Sequence, residues 1–112
     1  MADHSHVLVV DDEQEIRELI VKYLQREGMD VLQADGGQKA LDMVMNNELD
    51  LIVLDIMMPV MDGFEVLAFM NKNHWIEEVP VIMISSENSA EYVEKAYELG
   101  VTDYINKPYN AL

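Results

Sequence analysis

The sequence predicts an α/β domain built on a parallel sheet. Short Val- and Ile-rich runs alternate with longer amphipathic stretches, and the interiors of the runs are apolar throughout instead of at alternate positions. A strand that is apolar throughout is one covered on both faces by helices. The first run is 7–10, and the helix after it is written in Ile16, Leu19, Ile20, Tyr23 and Leu24 at the spacing of one helical face. Gly28 stops that helix. Asp30–Ala34 is a weaker run and reads as an edge strand, followed by a helix over 38–46 with Leu41 and Val44 inward. The third strand is 51–54, and Gly63 opens a helix that offers Phe64, Leu67 and Met70 to the core. The fourth strand is 81–84, with a helix over 90–99 closed by Gly100, and a fifth strand lies within 101–105. Four residues follow Pro108, too few for a stable helix. The order is therefore β-α-β-α-β-α-β-α-β, ending where a fifth helix would begin. No linker, repeat or low-complexity tract divides the chain.

Composition narrows the function. Twenty-two Asp and Glu against 7 Lys and Arg leave a net charge of −15, which repels phosphate backbones and suits divalent cations and basic partners. Direct nucleic-acid binding by this segment is therefore not expected. The chain has no cysteine, so disulfides, zinc thiolates and thiol chemistry are excluded. Residues 1–6 lack the apolar stretch of a signal peptide, and no segment is long and apolar enough to span a bilayer. A soluble, cytoplasmic protein with no membrane partner is the expectation.

In open α/β sheets, ligands bind beyond the carboxyl ends of the strands. There the sequence places Asp11, Asp12 and Glu13 after the first strand, Asp55 after the third, Ser85 and Ser86 after the fourth, and Lys107 after the fifth. Asp11 and Asp12 alone read equally well as a helix start, where the dipole favours acids. With Asp55 added, three carboxylates crowd one end of the central strands, and a hard cation such as Mg2+ resolves the crowding. Asp55, at the edge of a buried strand, is placed to act as a nucleophile on phosphorus. Ser85 and Lys107, unremarkable singly, share that location and would neutralise or hydrogen-bond phosphoryl oxygens.

The segments VLVVDDE, DLIVLDIMMPVMDG, PVIMISSE and GVTDYINKPY resemble, in order and spacing, the four signature regions of response-regulator receiver domains. The resemblance covers nearly the whole chain. It implies a flavodoxin-like fold with strand order 2-1-3-4-5, and a phosphoryl group accepted on Asp55 from a histidine kinase or phosphotransfer protein. It further implies Mg2+ held by the carboxylates of Asp12 and Asp55, by Asp11 through water and by the backbone carbonyl of Met57. Ser85 matches the hydroxyl that moves to the phosphoryl group and Lys107 the lysine that pairs with it. Tyr104 matches the switch aromatic, and Pro108 is a candidate for a cis peptide bond. Ser86 stands where small residues, often alanine, are usual in the family, while Met57 and Glu87 occupy variable positions that, by family analogy, tune phosphate lifetime. Residues 1–112 thus read as one receiver domain truncated at the start of its fifth helix, with an effector domain or a docking target as its output. That helix would cover the same face as the first, so an uncovered apolar strip and self-association through it are expected.

Competing functions fit less well. A phosphatase of the haloacid dehalogenase type needs an acid/base aspartate two positions after the nucleophile, and Met57 stands there. A flavin-binding flavodoxin needs a Gly/Ser/Thr-rich phosphate loop after the first strand, where this chain has three acids. A receiver-like interaction module that is never phosphorylated is the remaining alternative, although such sequences lose residues retained here. His4 and His6 read as a frayed N-terminus, the nine methionines as core and turn residues, and Trp75 with Glu77 and Glu78 as a packed aromatic beside a solvated acidic turn.

Overall fold

The computed structural model describes residues 5–87 and 89–107. Strands β1 (His6–Val10), β2 (Asp30–Ala34), β3 (Leu51–Asp55), β4 (Val81–Ser85) and β5 (Asp103–Asn106) form one parallel sheet in the expected order β2-β1-β3-β4-β5. Helices α1 (Gln14–Arg26), α2 (Gly37–Asn46), α3 (Gly63–Lys72) and α4 (Ala90–Glu98) connect them, with a 3-10 turn at Trp75–Glu77 before β4. The chain leaves β1 towards β2 on one side and returns to β3 on the other. The carboxyl ends of β1 and β3 therefore border the crevice where such sheets bind ligands.

Both faces of the sheet are buried, as the uniform apolar runs require. Leu8, Val10, Ile52, Leu54 and Met83 pack on one face against α2, α3 and α4, through Leu41, Phe64, Leu67, Met70 and Ala96. Val7, Val9, Val53 and Ile84 form a smaller core on the other face, to which α1 contributes Val21 with Ile20 and Leu24 beside it. Phe64 is tied to α4 twice, edge-on to Tyr92 with ring centroids 5.3 Å apart and under the Lys95 ammonium at 4.6 Å.

Helix ends follow local chemistry. Asp62 and Glu65 form a reciprocal capping box at the start of α3. At the end of α1, Gly28 takes φ +88°, its N–H donates to the Gln25 carbonyl, and the Met29 N–H reaches Leu24. Gly100 repeats the motif after α4 at φ +104°, with Val101 N–H on the Ala96 carbonyl.

Three local expectations need correction. The buried centre of α1 is Val21, while Leu19 and Tyr23 are 49% and 57% exposed. The helix is turned so that Arg17, Ile20, Val21 and Leu24 face the sheet, a stripe that an apolar-only pattern misses because it contains an arginine. Strand β5 begins at Asp103, not Val101, since the Val101 amide is spent closing α4 and the Thr102 amide donates to the Val81 carbonyl. His6 is the first residue of β1, paired in register with Asp30 and donating its N–H to the Asp50 carboxylate. Pro108, the expected cis-proline, and the start of a fifth helix lie outside the described residues, as does His4. On β5, Ile105 is partnered with Ile84 of the smaller core and is 39% exposed.

Candidate functional site

The site is built from backbone positions before any side chain enters it. Asp11 directly follows β1, its N–H donating to the Ala34 carbonyl, its carboxylate accepting from the Glu13 N–H at 2.9 Å, and its carbonyl accepting from Arg17 at 2.8 Å. Arg17 also reaches the Gln33 side chain on β2, clamping the first strand to the second. Asp55 ends β3, a central strand paired on both sides. The Ile56 N–H then donates to the Ile84 carbonyl of β4 and the Gly63 N–H to the Ile56 carbonyl, so the loop 57–62 folds back and sets α3 against the end of β3. Gly63 is necessary for that approach, because a Cβ there would stand 2.3 Å from the Asp55 carbonyl oxygen and 2.8 Å from Ile56 Cα. Within the loop, Val60 has φ +69° at the centre of a γ-turn closed by the Met61 N–H on the Pro59 carbonyl, an uncommon conformation for a β-branched residue.

The three expected aspartates converge. Asp11, Asp12 and Asp55 each bring a carboxylate oxygen within 4.8 Å of the others, with Asp11 and Asp55 buried and Asp12 open to solvent. Lys107 reaches over from the end of β5, its ammonium 2.9 Å from Asp11, 3.3 Å from Asp55 and 3.4 Å from Glu13. Its backbone N–H bonds the Ser85 carbonyl and so fixes β5 to β4 at the mouth of the site. One ammonium does not balance three clustered carboxylates. Burial first, then the charge of Asp11, lifts the Asp55 carboxyl to about 7 despite the opposing pull of Lys107. Burial alone would lower the Lys107 ammonium, but the bond to Asp11 and the charges of Asp55 and Asp11 override it and raise it. This donor set is all oxygen, partly buried, over-negative and open on the Asp12 side. It fits a hard divalent cation.

Ser85, the last residue of β4, is fully buried. Its hydroxyl accepts the Glu87 N–H at 2.9 Å, while the Tyr104 hydroxyl donates to the Glu87 carbonyl. Both residues expected to act in switching thus hold the same residue, Ser85 at its backbone N–H and Tyr104 at its carbonyl. The Tyr104 ring lies half-buried against the larger core, and burial raises its hydroxyl pKa above the usual value. Met57 sits in the loop after β3 with its side chain exposed. Ser86 and Glu87 follow Ser85 at the exposed rim.

Sequence reasoning missed Gly63, Arg17 and the Lys107 contact of Glu13. The glycine was visible as the start of the third helix, but its need for close approach to Asp55 was not. Arg17 lay on the inward stripe of α1, hidden because only apolar residues were counted.

A five-stranded doubly wound parallel sheet carrying three acids, a lysine and a hydroxyl at its carboxyl edge defines a flavodoxin-like domain with a charged site at its strand ends. The sequence profile of the response regulator receiver domain matches residues 7–111, and the chain belongs to that family. The transcriptional regulatory protein SrrA of Staphylococcus aureus is 35% identical over 106 residues, a match covering 95% of this chain and 43% of SrrA. The chain therefore spans less than half the length of this relative. Among solved structures, the chemotaxis protein CheY4 of Vibrio cholerae superposes with a TM-score of 0.89 at 32% identity, covering 96% of this chain and 90% of that one. The response regulator TrrA of Thermotoga maritima, solved in complex with Mg(2+)-BeF, gives 0.82 at 32% identity, covering 95% and 89%. Among the described residues, no helix is long and apolar enough to cross a membrane.

Proposed function

We propose that this receiver domain is a phosphorylation switch in which Asp55 accepts a phosphoryl group, in a Mg2+-dependent reaction, from a histidine kinase or phosphotransfer protein. The observation that carries the proposal is the placement of Asp55: a buried carboxylate at the end of a central strand, between a lysine ammonium and two further aspartates. Asp12 and Asp55 would hold the cation through carboxylates, Asp11 through a bound water and Met57 through its backbone carbonyl. The cation supplies positive charge for the phosphoryl oxygens.

In the transfer, an Asp55 carboxylate oxygen forms the new O–P bond as the P–N bond to the donor imidazole breaks, the electron pair leaving with the nitrogen. Positioning and charge neutralisation do most of the work in such a step. Lys107 supplies a fixed ammonium 3.3 Å from Asp55, held in place by Asp11. The Ser85 hydroxyl, rotated away from the Glu87 N–H, would donate to a second phosphoryl oxygen. That rotation releases one of the two bonds on Glu87, and the other is made by Tyr104. The signal thereby passes to the α4 and β5 surface as a shift between two packings. The domain is a switch that assists its own phosphorylation and dephosphorylation, not an enzyme acting on a separate substrate.

Kinship with a transcriptional regulator supports a cytoplasmic role with output through an effector domain or a docking target. Self-association through the face bearing exposed Ile105 is a separate proposal, and light scattering over a range of concentrations tests it, a persistent monomer refuting it. The test of the central proposal is intact mass after incubation with Mg2+ and acetyl phosphate. One added phosphoryl group, lost with a chelator and in Asp55→Asn, is the expected result. No gain in a folded, Mg2+-loaded sample would favour the phosphorylation-independent module.

A further inference from the structure

The end of the sheet opposite Asp55 carries a groove of about 430 Å³ between the C-terminal end of α2 and the 3-10 turn. Its apolar lining includes Met45, Leu49, Trp75 and Val79, and among the described residues its charged lining consists of Glu48 and Glu78, with no basic residue. Met45 is 55% exposed, and Phe69, 42% exposed, extends the apolar floor by resting its ring 5.5 Å from that of Trp75. A large flexible thioether and two adjoining aromatics, left open to water and rimmed by glutamates, form an adaptable apolar floor with one sign of charge.

We propose that this groove docks a basic, amphipathic segment of a partner protein, one that presents apolar side chains flanked by Lys or Arg. Charge decides the class of occupant. A net charge of −15 disfavours nucleic acid and anionic membranes, and a second copy of the chain would set glutamate rim against glutamate rim. A cationic segment meets both the apolar floor and the acidic rim. Leu49 precedes β3 and Asp55 ends it, so the groove and the aspartate cluster lie about 20 Å apart at strand rise. Nothing in the groove belongs to the phosphoacceptor site, so it serves as an anchor distinct from the switch surface.

Trp75 is the only tryptophan in the chain and reports on the groove directly. The probe is a short helical peptide of leucine and lysine, titrated into the full chain while Trp75 emission is recorded, with a leucine–glutamate peptide of the same apolar spacing as control. A saturable change in Trp75 emission is expected with the first peptide and none with the second. Reversing the rim with Glu48→Lys and Glu78→Lys should weaken binding by about tenfold, while Glu91→Lys with Glu94→Lys, exposed on α4, should leave it within about twofold. Silence of Trp75, equal response to both peptides, or equal losses in the two double variants would each overturn the proposal, the last by showing diffuse attraction to an acidic surface.

Discussion

Gly63→Ala is the most direct probe of how the backbone holds Asp55. The added Cβ would lie 2.3 Å from the Asp55 carbonyl oxygen, 2.8 Å from Ile56 Cα and 3.0 Å from the Asp55 carbonyl carbon. Ordinary contacts there are about 3.4 Å or more, so the worst overlap is roughly 1 Å. All three neighbours are main-chain atoms, and β3 is hydrogen-bonded on both sides, so the strand cannot yield. The start of α3 must move instead, stretching the Gly63 N–H bond to Ile56 and displacing the loop that carries Met57. Overpacking of this kind costs about 3 kcal/mol, and the helix preference of alanine returns less than about 1 kcal/mol. For a domain of this size the melting temperature should fall by roughly 10 °C or more. Urea unfolding gives the free energy, and intact mass after acetyl phosphate treatment gives phosphoryl uptake, expected to slow. Gly36→Ala is the control: among the described residues nothing lies within 4 Å of its Cβ position, and its cost should stay below about 1 kcal/mol. If Gly63→Ala matched Gly36→Ala in stability, close approach would not be what positions Asp55.

The remaining predictions concern charge and strain. With the Asp55 carboxyl raised from an unfolded value of 3.8 to about 7, the folded state holds its proton more tightly than the unfolded chain. In chelator, this group's stabilising contribution is full below about pH 4, is lost progressively up to about pH 7, and totals on the order of 4 kcal/mol. Adding Mg2+ should raise the melting temperature at pH 7.5 but scarcely at pH 5, where protons compete; equal shifts at both would contradict the crowding. Asp55→Asn should abolish phosphoryl uptake and, in chelator at neutral pH, stabilise the fold by relieving that crowding, as read by thermal unfolding. Lys107→Met leaves the buried Asp11 and Asp55 without their cation, so a loss of about 3 kcal/mol is expected in metal-free urea unfolding, together with impaired phosphoryl uptake. Val60→Gly relaxes the positive φ at a fully exposed position and should stabilise by about 1 kcal/mol in the same assay.

Much of the fold was legible because burial leaves a period in the sequence. Runs apolar on both faces announced central parallel strands, and Gly28 and Gly100 announced helix ends, each later found at positive φ. The same logic failed where backbone hydrogen bonds, not side-chain polarity, set the boundary. Val101 is as apolar as a strand residue should be, yet its amide is committed to closing α4. The site was legible to the extent that strand ends and ligand ends coincide, which puts Asp11, Asp12, Asp55, Ser85 and Lys107 on one edge of a parallel sheet.

The sequence by itself determined that this is a parallel α/β domain with carboxylates gathered at the ends of its central strands, because burial pattern and local turn chemistry are short-range properties. Only the tertiary structure decided that Lys107 contacts Asp11 across 96 residues, that Glu87 is held at once by Ser85 and Tyr104, and that α3 leans on the Asp55 backbone through a missing Cβ. Each of these depends on distances between segments far apart in the chain. Such distances arise when the strands pair and the helices pack, and no local pattern of residues encodes them.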